Sequence, residues 1–182
     1  RNMKKLNLKL VVILSVSFTI FTLITFFVHR FQVTRSSATL IVRADQAREA
    51  KDFEEAAHLR RRYLAHNEEN TSQLCELALD MKSEFDAADR ETLGIKQIGR
   101  AYSMLEQAIR AEEHNEKVRE AAIDFAFTIG RYPDAVEHIE YLIDKRGIEN
   151  TADLQVKLAE ATFQTGDYPK AATILEELIG FD

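Results

Sequence analysis

Two copies of one short phrase, 36 residues apart, decide the fold of this chain. Gly130–Ala135 reads Gly-Arg-Tyr-Pro-Asp-Ala, and Gly166–Ala171 reads Gly-Asp-Tyr-Pro-Lys-Ala. Lys51–Ala56 is a weaker copy that reads Lys-Asp-Phe-Glu-Glu-Ala, and a fourth copy shows only its second half, in residues 101–109. Self-similarity at a period of 20–50 residues indicates a repeat architecture.

Each residue type in the phrase suits the junction between two helices. Gly130 and Gly166 predict helix ends, where the residue that follows the helix commonly adopts a left-handed conformation. Asp167 can cap the next helix, and Pro133 and Pro169 suit its first turn, where a missing N–H costs nothing. The other structural residues of the phrase are expected to pack between the paired helices: Tyr132, Ala135, Tyr168 and Ala171.

The segments on both sides of each turn have the apolar spacing of amphipathic helices, three and four residues apart. Leu74, Leu77 and Met81 follow it before a turn, and Ile139 and Leu142 follow it after one. The chain has only two prolines and six glycines among 182 residues, which also favours helices. The sequence therefore predicts an all-α fold.

The phrase and its flanking helices resemble the tetratricopeptide repeat (TPR), a helix–turn–helix unit of about 34 residues. The resemblance covers residues 37–182 and implies antiparallel helix hairpins stacked as a right-handed α-solenoid. Departures are the missing early Trp and an insertion near residues 84–94. The last helix lacks a neighbour, which suggests that the array continues. About four repeats are implied: 37–70, 71–115, 116–151 and 152–182.

An apolar run precedes the repeats. Residues 10–28 carry no charge and would span roughly 28 Å as a helix, close to the ~30 Å core of a bilayer. We expect a transmembrane helix here, after a basic tail at residues 1–9 and before a linker at 29–36 that no Gly or Pro interrupts. A cleavable signal peptide is disfavoured by the charges that follow the run, and a buried core helix by the lack of a polar face.

Charge is divided unevenly along the chain. Residues 1–35 hold six cations and no acid, and removing these charges from the net −6 leaves −12 for the remainder. An acidic repeat region argues against nucleic-acid binding. The short basic tail predicts a cytoplasmic N-terminus and extracytoplasmic repeats. The expected localisation is a single-pass membrane protein, in the inner membrane and periplasm if the chain is bacterial.

No catalytic constellation is evident, so the chain is not expected to be an enzyme. The scattered glycines form no phosphate-binding loop, and no metal pair, cofactor motif or small-molecule site is visible. Cys75 has no evident base beside it and is interpreted as a buried or groove-facing thiol. The basic run at residues 60–62 is interpreted as a solvated face or a lipid contact. Four histidines are expected in solvent: His58, His66, His114 and His138.

The resemblance implies a binding groove lined by the first helix of each repeat. Its apolar anchors in an acidic frame suit a protein or peptide partner that is basic and apolar. The alternative for Phe127 and Phe163 is packing between repeats. Cys75 also faces this way by register. The predicted groove residues are Asp45, Arg48, Leu79, Lys82, Glu120, Asp124, Phe127, Val156, Glu160 and Phe163.

The function predicted from these features is a membrane-anchored TPR scaffold for protein–protein interaction. Two alternatives stay open. The chain could be the N-terminal structural part of a longer repeat array, or the docking arm of an enzyme whose catalytic domain lies beyond residue 182.

Overall fold

A computed structural model describes the backbone of residues 8–88, 94–147 and 151–180, and the side chains of these ranges except 8–13 and 28–36. Eight helices and no strand lie in this part of the chain, so the predicted all-α class is confirmed. The helices are α1 (Leu8–Glu49), α2 (Phe53–Leu64), α3 (Thr71–Ala87), α4 (Ile95–Ala111), α5 (Glu116–Ile129), α6 (Tyr132–Arg146), α7 (Ala152–Gln164) and α8 (Tyr168–Ile179).

Several helices begin at a short acidic or amide side chain. The Asp52 carboxylate accepts a hydrogen bond from the Glu55 amide at 3.1 Å, and Asp167 accepts one from the Lys170 amide at 3.1 Å. Asn70 and Asn115 cap α3 and α5 in the same way. These acceptors satisfy amide groups that the first helical turn leaves without a partner.

The hairpin turns close through left-handed residues. Gly130 has a φ of 75°, and the amide beyond it reaches back to the Ala126 carbonyl at 2.8 Å. Gly166 has a φ of 91° and sits in the same arrangement. Lys51 takes this place in the first turn with a φ of 62°, which a residue with a Cβ rarely adopts. The same turn is thus built with and without glycine.

The helices stack in sequence order. Each one packs against the next, and α3 also contacts α5. One apolar cluster joins α2, α3, α4 and α5, and a second joins α5, α6 and α7. The alanines near the start of each second helix are buried, which lets the paired helices approach closely: Ala56, Ala101, Ala135 and Ala171. This chain of neighbour contacts is typical of a repeat stack.

The predicted insertion near residues 84–94 falls between two helices. Helix α3 continues to Ala87, and α4 starts at Ile95, where the Gln97 side chain accepts a hydrogen bond from the Gly94 amide at 3.0 Å. Residues 89–93 lie outside the described part of the chain.

Helix α1 continues without interruption through the predicted linker at residues 29–36. Its side chains from Leu14 to Phe27 are exposed. Three threonine hydroxyls in this stretch donate to the carbonyl one turn earlier, as in Thr22 to Phe18 at 2.8 Å. These bonds satisfy the hydroxyls within the helix itself.

The expectation of a membrane anchor is overturned. In the described part of the chain, no helix has the length and apolar character needed to cross a bilayer. The described apolar side chains of the predicted span run from Leu14 to Phe27. The other side chains of the predicted span 10–28, and those of the tail 1–9, lie outside the described residues. The predicted single-pass membrane localisation is therefore wrong.

Candidate partner-binding groove

The predicted groove residues lie on the first helix of each hairpin, namely α1, α3, α5 and α7. They do not form one uniform surface. Those on α1 belong to an ionic network within the fold, and those on α3 are largely committed to packing or pairing. Those on α5 and α7 leave a partly free face.

The α1 residues are held by a buried charge network. Asp80 of α3 is fully buried and accepts from Arg48 Nε at 2.5 Å and from Arg60 Nε at 2.7 Å. Arg60 is 1% exposed and also pairs with Asp45 at 2.5 Å. Glu76 accepts a further bond from Arg48. Asp45 and Arg48, two predicted groove residues, are thus tied to the packing of α1 against α2 and α3.

The pKa of Arg48 reflects this network. Burial alone would lower it, but hydrogen bonds from the guanidinium to Asp80 and Glu76 outweigh the burial and raise it. A buried carboxylate between two guanidinium groups is compensated on both sides, which a buried charge needs. The network therefore positions α1, rather than offering free charges to a ligand.

Arg60 and Asp80 were missed by the sequence analysis. The solvated or lipid-contacting face proposed for residues 60–62 is wrong for Arg60, whereas Arg61 and Arg62 are exposed. One signal was available, because Asp80 lies inside the apolar stripe of α3, beside Ala78 and Met81. A charge inside such a stripe indicates a buried partner.

The α3 residues contribute little free surface. Leu79 packs partly buried against the first core cluster, and Lys82 pairs with Asp86 at 2.7 Å on its own helix. Cys75 is buried, with its Sγ 3.8 Å from the Ala108 carbonyl oxygen. Burial, together with the Glu112 carboxylate, raises the pKa of this thiol to about 12. Cys75 is thus a core thiol in its neutral form.

The remaining six residues form what we call the α5–α7 surface: Glu120, Asp124, Phe127, Val156, Glu160 and Phe163. Two of its acids are paired, Glu120 with Arg146 at 2.6 Å and Asp124 with Lys157 at 2.9 Å. The second pair joins α5 directly to α7. Two of the three acids on this surface are therefore already paired within the chain, with Arg146 shared between Glu120 and Glu116.

The aromatic residues of this surface differ in burial. Phe127 is partly buried against the second core cluster, and its ring lies edge-on to Tyr132 with the centroids 5.8 Å apart. Phe163 is 55% exposed, and its ring centroid lies 5.0 Å from that of the exposed Tyr168. Packing within the repeat thus buries much of the Phe127 side chain and little of the Phe163 side chain.

Val156, Glu160 and Phe163 form one face of α7, because positions four and seven residues apart lie one above another on a helix. Val156 is 48% exposed. Glu160 is exposed and has no ion-pair or hydrogen-bonding partner among the described side chains. This face combines two apolar side chains with one free carboxylate.

A largely buried polar cluster links α4, α5 and α6. His138 is 5% exposed, with Nε2 2.9 Å from Glu106 Oε1 and Nδ1 3.2 Å from Arg119 Nη1. The hydrogen bond from His138 lowers the pKa of Glu106. The expectation that the histidines lie in solvent is thus wrong for His138, whereas His58, His66 and His114 are exposed. Among the described residues, no group of His, Cys, Asp or Glu side chains is arranged so that it could hold a metal ion.

The chain was compared with known proteins. No family matches its sequence, and no curated protein does. Solved structures do match. A crystal structure of MamA has a TM-score of 0.60 at 19% identity, covering 79% of this chain and 72% of that one.

Two further matches are similar in extent. MamA from Desulfovibrio magneticus gives a TM-score of 0.63 at 12% identity, with 80% and 75% of the two chains covered. A thermophilic TPR protein of Thermus thermophilus gives a TM-score of 0.51 at 16% identity, with 79% and 73% covered. At such identities the likeness concerns the fold. The chain is therefore a TPR-like, all-helical repeat protein.

Proposed function

We propose that this chain is a repeat scaffold that holds a segment of another protein on its α5–α7 surface. The observation that carries the proposal is the exposed face of α7, where Val156 and Phe163 are about half exposed on either side of Glu160. Apolar groups grouped in this way next to a charge are typical of a protein-binding surface. A helical face of this kind suits a partner helix or an extended peptide.

The ion pairs of the acids on the α5–α7 surface indicate which side chains a partner would present. Glu120 and Asp124 are paired within the chain, so an incoming cation meets Glu160 without displacing an internal partner. The matching segment would present an aromatic or aliphatic side chain to Phe163 and one basic side chain to Glu160. The apolar contact supplies most of the binding energy, and the charge pair sets orientation and specificity.

The test is affinity selection of a random peptide library on the full chain. The selected peptides are then measured against a double variant, Glu160→Lys with Phe163→Ser, and against a control, Ile179→Ser. Ile179 is 74% exposed on α8, so its change removes a comparable apolar group from elsewhere.

We expect the peptides to carry basic and apolar residues, to lose at least about tenfold in affinity for the double variant, and to bind the control unchanged. Equal binding to the double variant and the wild type would refute the α5–α7 surface as the binding site. Failure to select any peptide would count against a peptide-binding scaffold.

A further inference from the structure

A second concave site lies away from the α5–α7 surface. It is a cleft of about 600 Å³ formed by α2, α3 and α4. Three cations line it: Arg61 of α2, with Lys96 and Arg100 of α4. Two methionines, Met81 and Met104, supply its apolar wall. We call this site the basic cleft, and its volume is in the range of ligand pockets.

The cations of the basic cleft are free. Arg61, Lys96 and Arg100 are exposed, and none of them has an ion-pair or hydrogen-bonding partner among the described residues. No acid is among the described residues that line the cleft. Elsewhere in the repeats, cations such as Lys157 and Lys170 pair with a neighbouring acid.

Like charges grouped around a cleft repel each other and raise the local positive potential. The concave, partly apolar wall strengthens that potential relative to a flat surface. An anionic ligand would therefore be attracted to this site and would relieve the repulsion. The basic cleft has the charge opposite to the rest of the repeat region, so it would select a different class of partner from the α5–α7 surface.

Gly99 also lines the cleft. It lies inside α4, where glycine is unfavourable relative to alanine because of its greater backbone freedom. A Cβ placed on Gly99 would meet nothing within 4 Å, so packing does not require glycine here. Gly99 leaves open space in the cleft between Lys96 and Arg100, which lie one turn apart on the same face.

We propose that the basic cleft binds an acidic segment of a partner protein, with carboxylates on Arg61, Lys96 and Arg100 and an apolar side chain against the methionines. A peptide fits better than a lone oxyanion. The three cations come from two helices, and the wall includes Met81 and the partly buried Met104. Methionine adapts its shape to varied apolar side chains, which suits a peptide partner.

This proposal is independent of the α5–α7 surface, and its test uses different residues. The probe is a fluorescent peptide that alternates glutamate with leucine, and the readout is fluorescence anisotropy with the full chain. The comparison peptide has glutamine in place of glutamate. Two cleft variants are used: the charge reversal Lys96→Glu with Arg100→Glu, and Gly99→Leu, which fills the cleft without changing charge.

The matched control is Lys117→Glu with Lys145→Glu, which changes the net charge equally on exposed positions of α5 and α6. We expect the glutamate peptide to bind the wild type and the control, and both cleft variants to bind at least about tenfold more weakly. Binding should weaken as salt is added, because exposed charges are screened. Circular dichroism of each variant checks that the helices are retained.

Three results would overturn the proposal. The first is no binding of the glutamate peptide to the wild type, or equal binding to the cleft variants. The second is equally strong competition by inorganic phosphate, which would make the site a simple anion site. The third is self-association of the wild type that both cleft variants abolish, which would make a second copy of this chain the occupant.

Discussion

Lys51 occupies a backbone conformation that two other turns of this chain assign to glycine. Its φ of 62° lies in the left-handed region, as do those of Gly130 and Gly166 in the equivalent turns. A Cβ in this conformation crowds the following carbonyl, whereas glycine has no such penalty. The first turn therefore carries local strain that the last two turns do not.

We predict that Lys51→Gly raises the free energy of unfolding by about 0.5–1 kcal/mol, because the strain is removed and the exposed side chain has little packing to lose. Urea titration followed by circular dichroism measures this change. Lys51→Ala is the control and should bring no gain, since alanine retains the Cβ. A less stable Lys51→Gly variant would show that the side chain, rather than the backbone, matters at this turn.

Cys75 gives a second prediction at the scale of a single residue. Burial raises its pKa to about 12, so the thiol is neutral and inaccessible near neutral pH. We expect a thiol reagent to modify the native chain very slowly at pH 8 and to react rapidly once urea unfolds it. Rapid modification of the native chain would contradict the buried position of Cys75.

At the scale of elements, one carboxylate joins α1 and α2 to α3. Asp80 lies fully buried on α3 and bonds Arg48 of α1 and Arg60 of α2 at once. Removing one member of a buried ion network leaves the others uncompensated, which costs about 3–5 kcal/mol. We predict a loss of this size for Asp80→Ala, measured by urea unfolding.

The matched control is Asp86→Ala on the same helix. Asp86 pairs with Lys82 at the surface, one turn apart, and such exposed pairs contribute at most about 0.5 kcal/mol. A similar loss for both variants would mean that the buried network has no special weight in joining the first three helices.

At the scale of the whole molecule, polar pairs connect neighbouring repeats. Glu106 of α4 accepts from His138 of α6, and this hydrogen bond lowers the Glu106 pKa against the opposing effect of burial. A carboxylate with a lowered pKa in the folded state stabilises the fold above its unfolded pKa of ~4.3. That contribution is lost as the pH falls through the lower, folded-state pKa.

We therefore predict that the free energy of unfolding declines below about pH 4.3 and that Glu106→Gln reduces the steepness of this decline. Chemical unfolding at a series of pH values between neutral and acidic measures both effects. Parallel curves for the wild type and Glu106→Gln would show that this pair does not couple folding to pH.

The sequence was informative where the chemistry is local. Gly130, Gly166 and Asp167 could be assigned to turns and caps because each acts on its own neighbours, and the resemblance of their phrase to the TPR turn implied the helical repeat. Arg60 and His138 could not be placed, since their partners lie 20 and 32 residues away along the chain. A basic run and an isolated histidine look solvated until the packing of helices is known.

The helical positions of the groove residues could be predicted from the sequence. Whether their side chains are free to bind a partner could not. The repeat pattern assigned ten residues to the first helices, but only distances show that Asp45, Arg48, Glu120 and Asp124 are engaged within the chain. The basic cleft was missed because it is formed by separate helices, and no single segment shows that three cations share a cavity.

The most direct test of the account compares two phenylalanines. Phe163 is 55% exposed on α7, and Phe125 is fully buried on α5. For Phe163→Ala we predict at least about a tenfold loss of affinity for peptides selected on the wild-type chain, with a change in the free energy of unfolding below about 1 kcal/mol. Phe125→Ala should instead lose about 3–5 kcal/mol of stability. Peptide binding by Phe163→Ala as tight as that of the wild type, or a loss of stability as large as that of Phe125→Ala, would contradict a binding role for the α5–α7 surface.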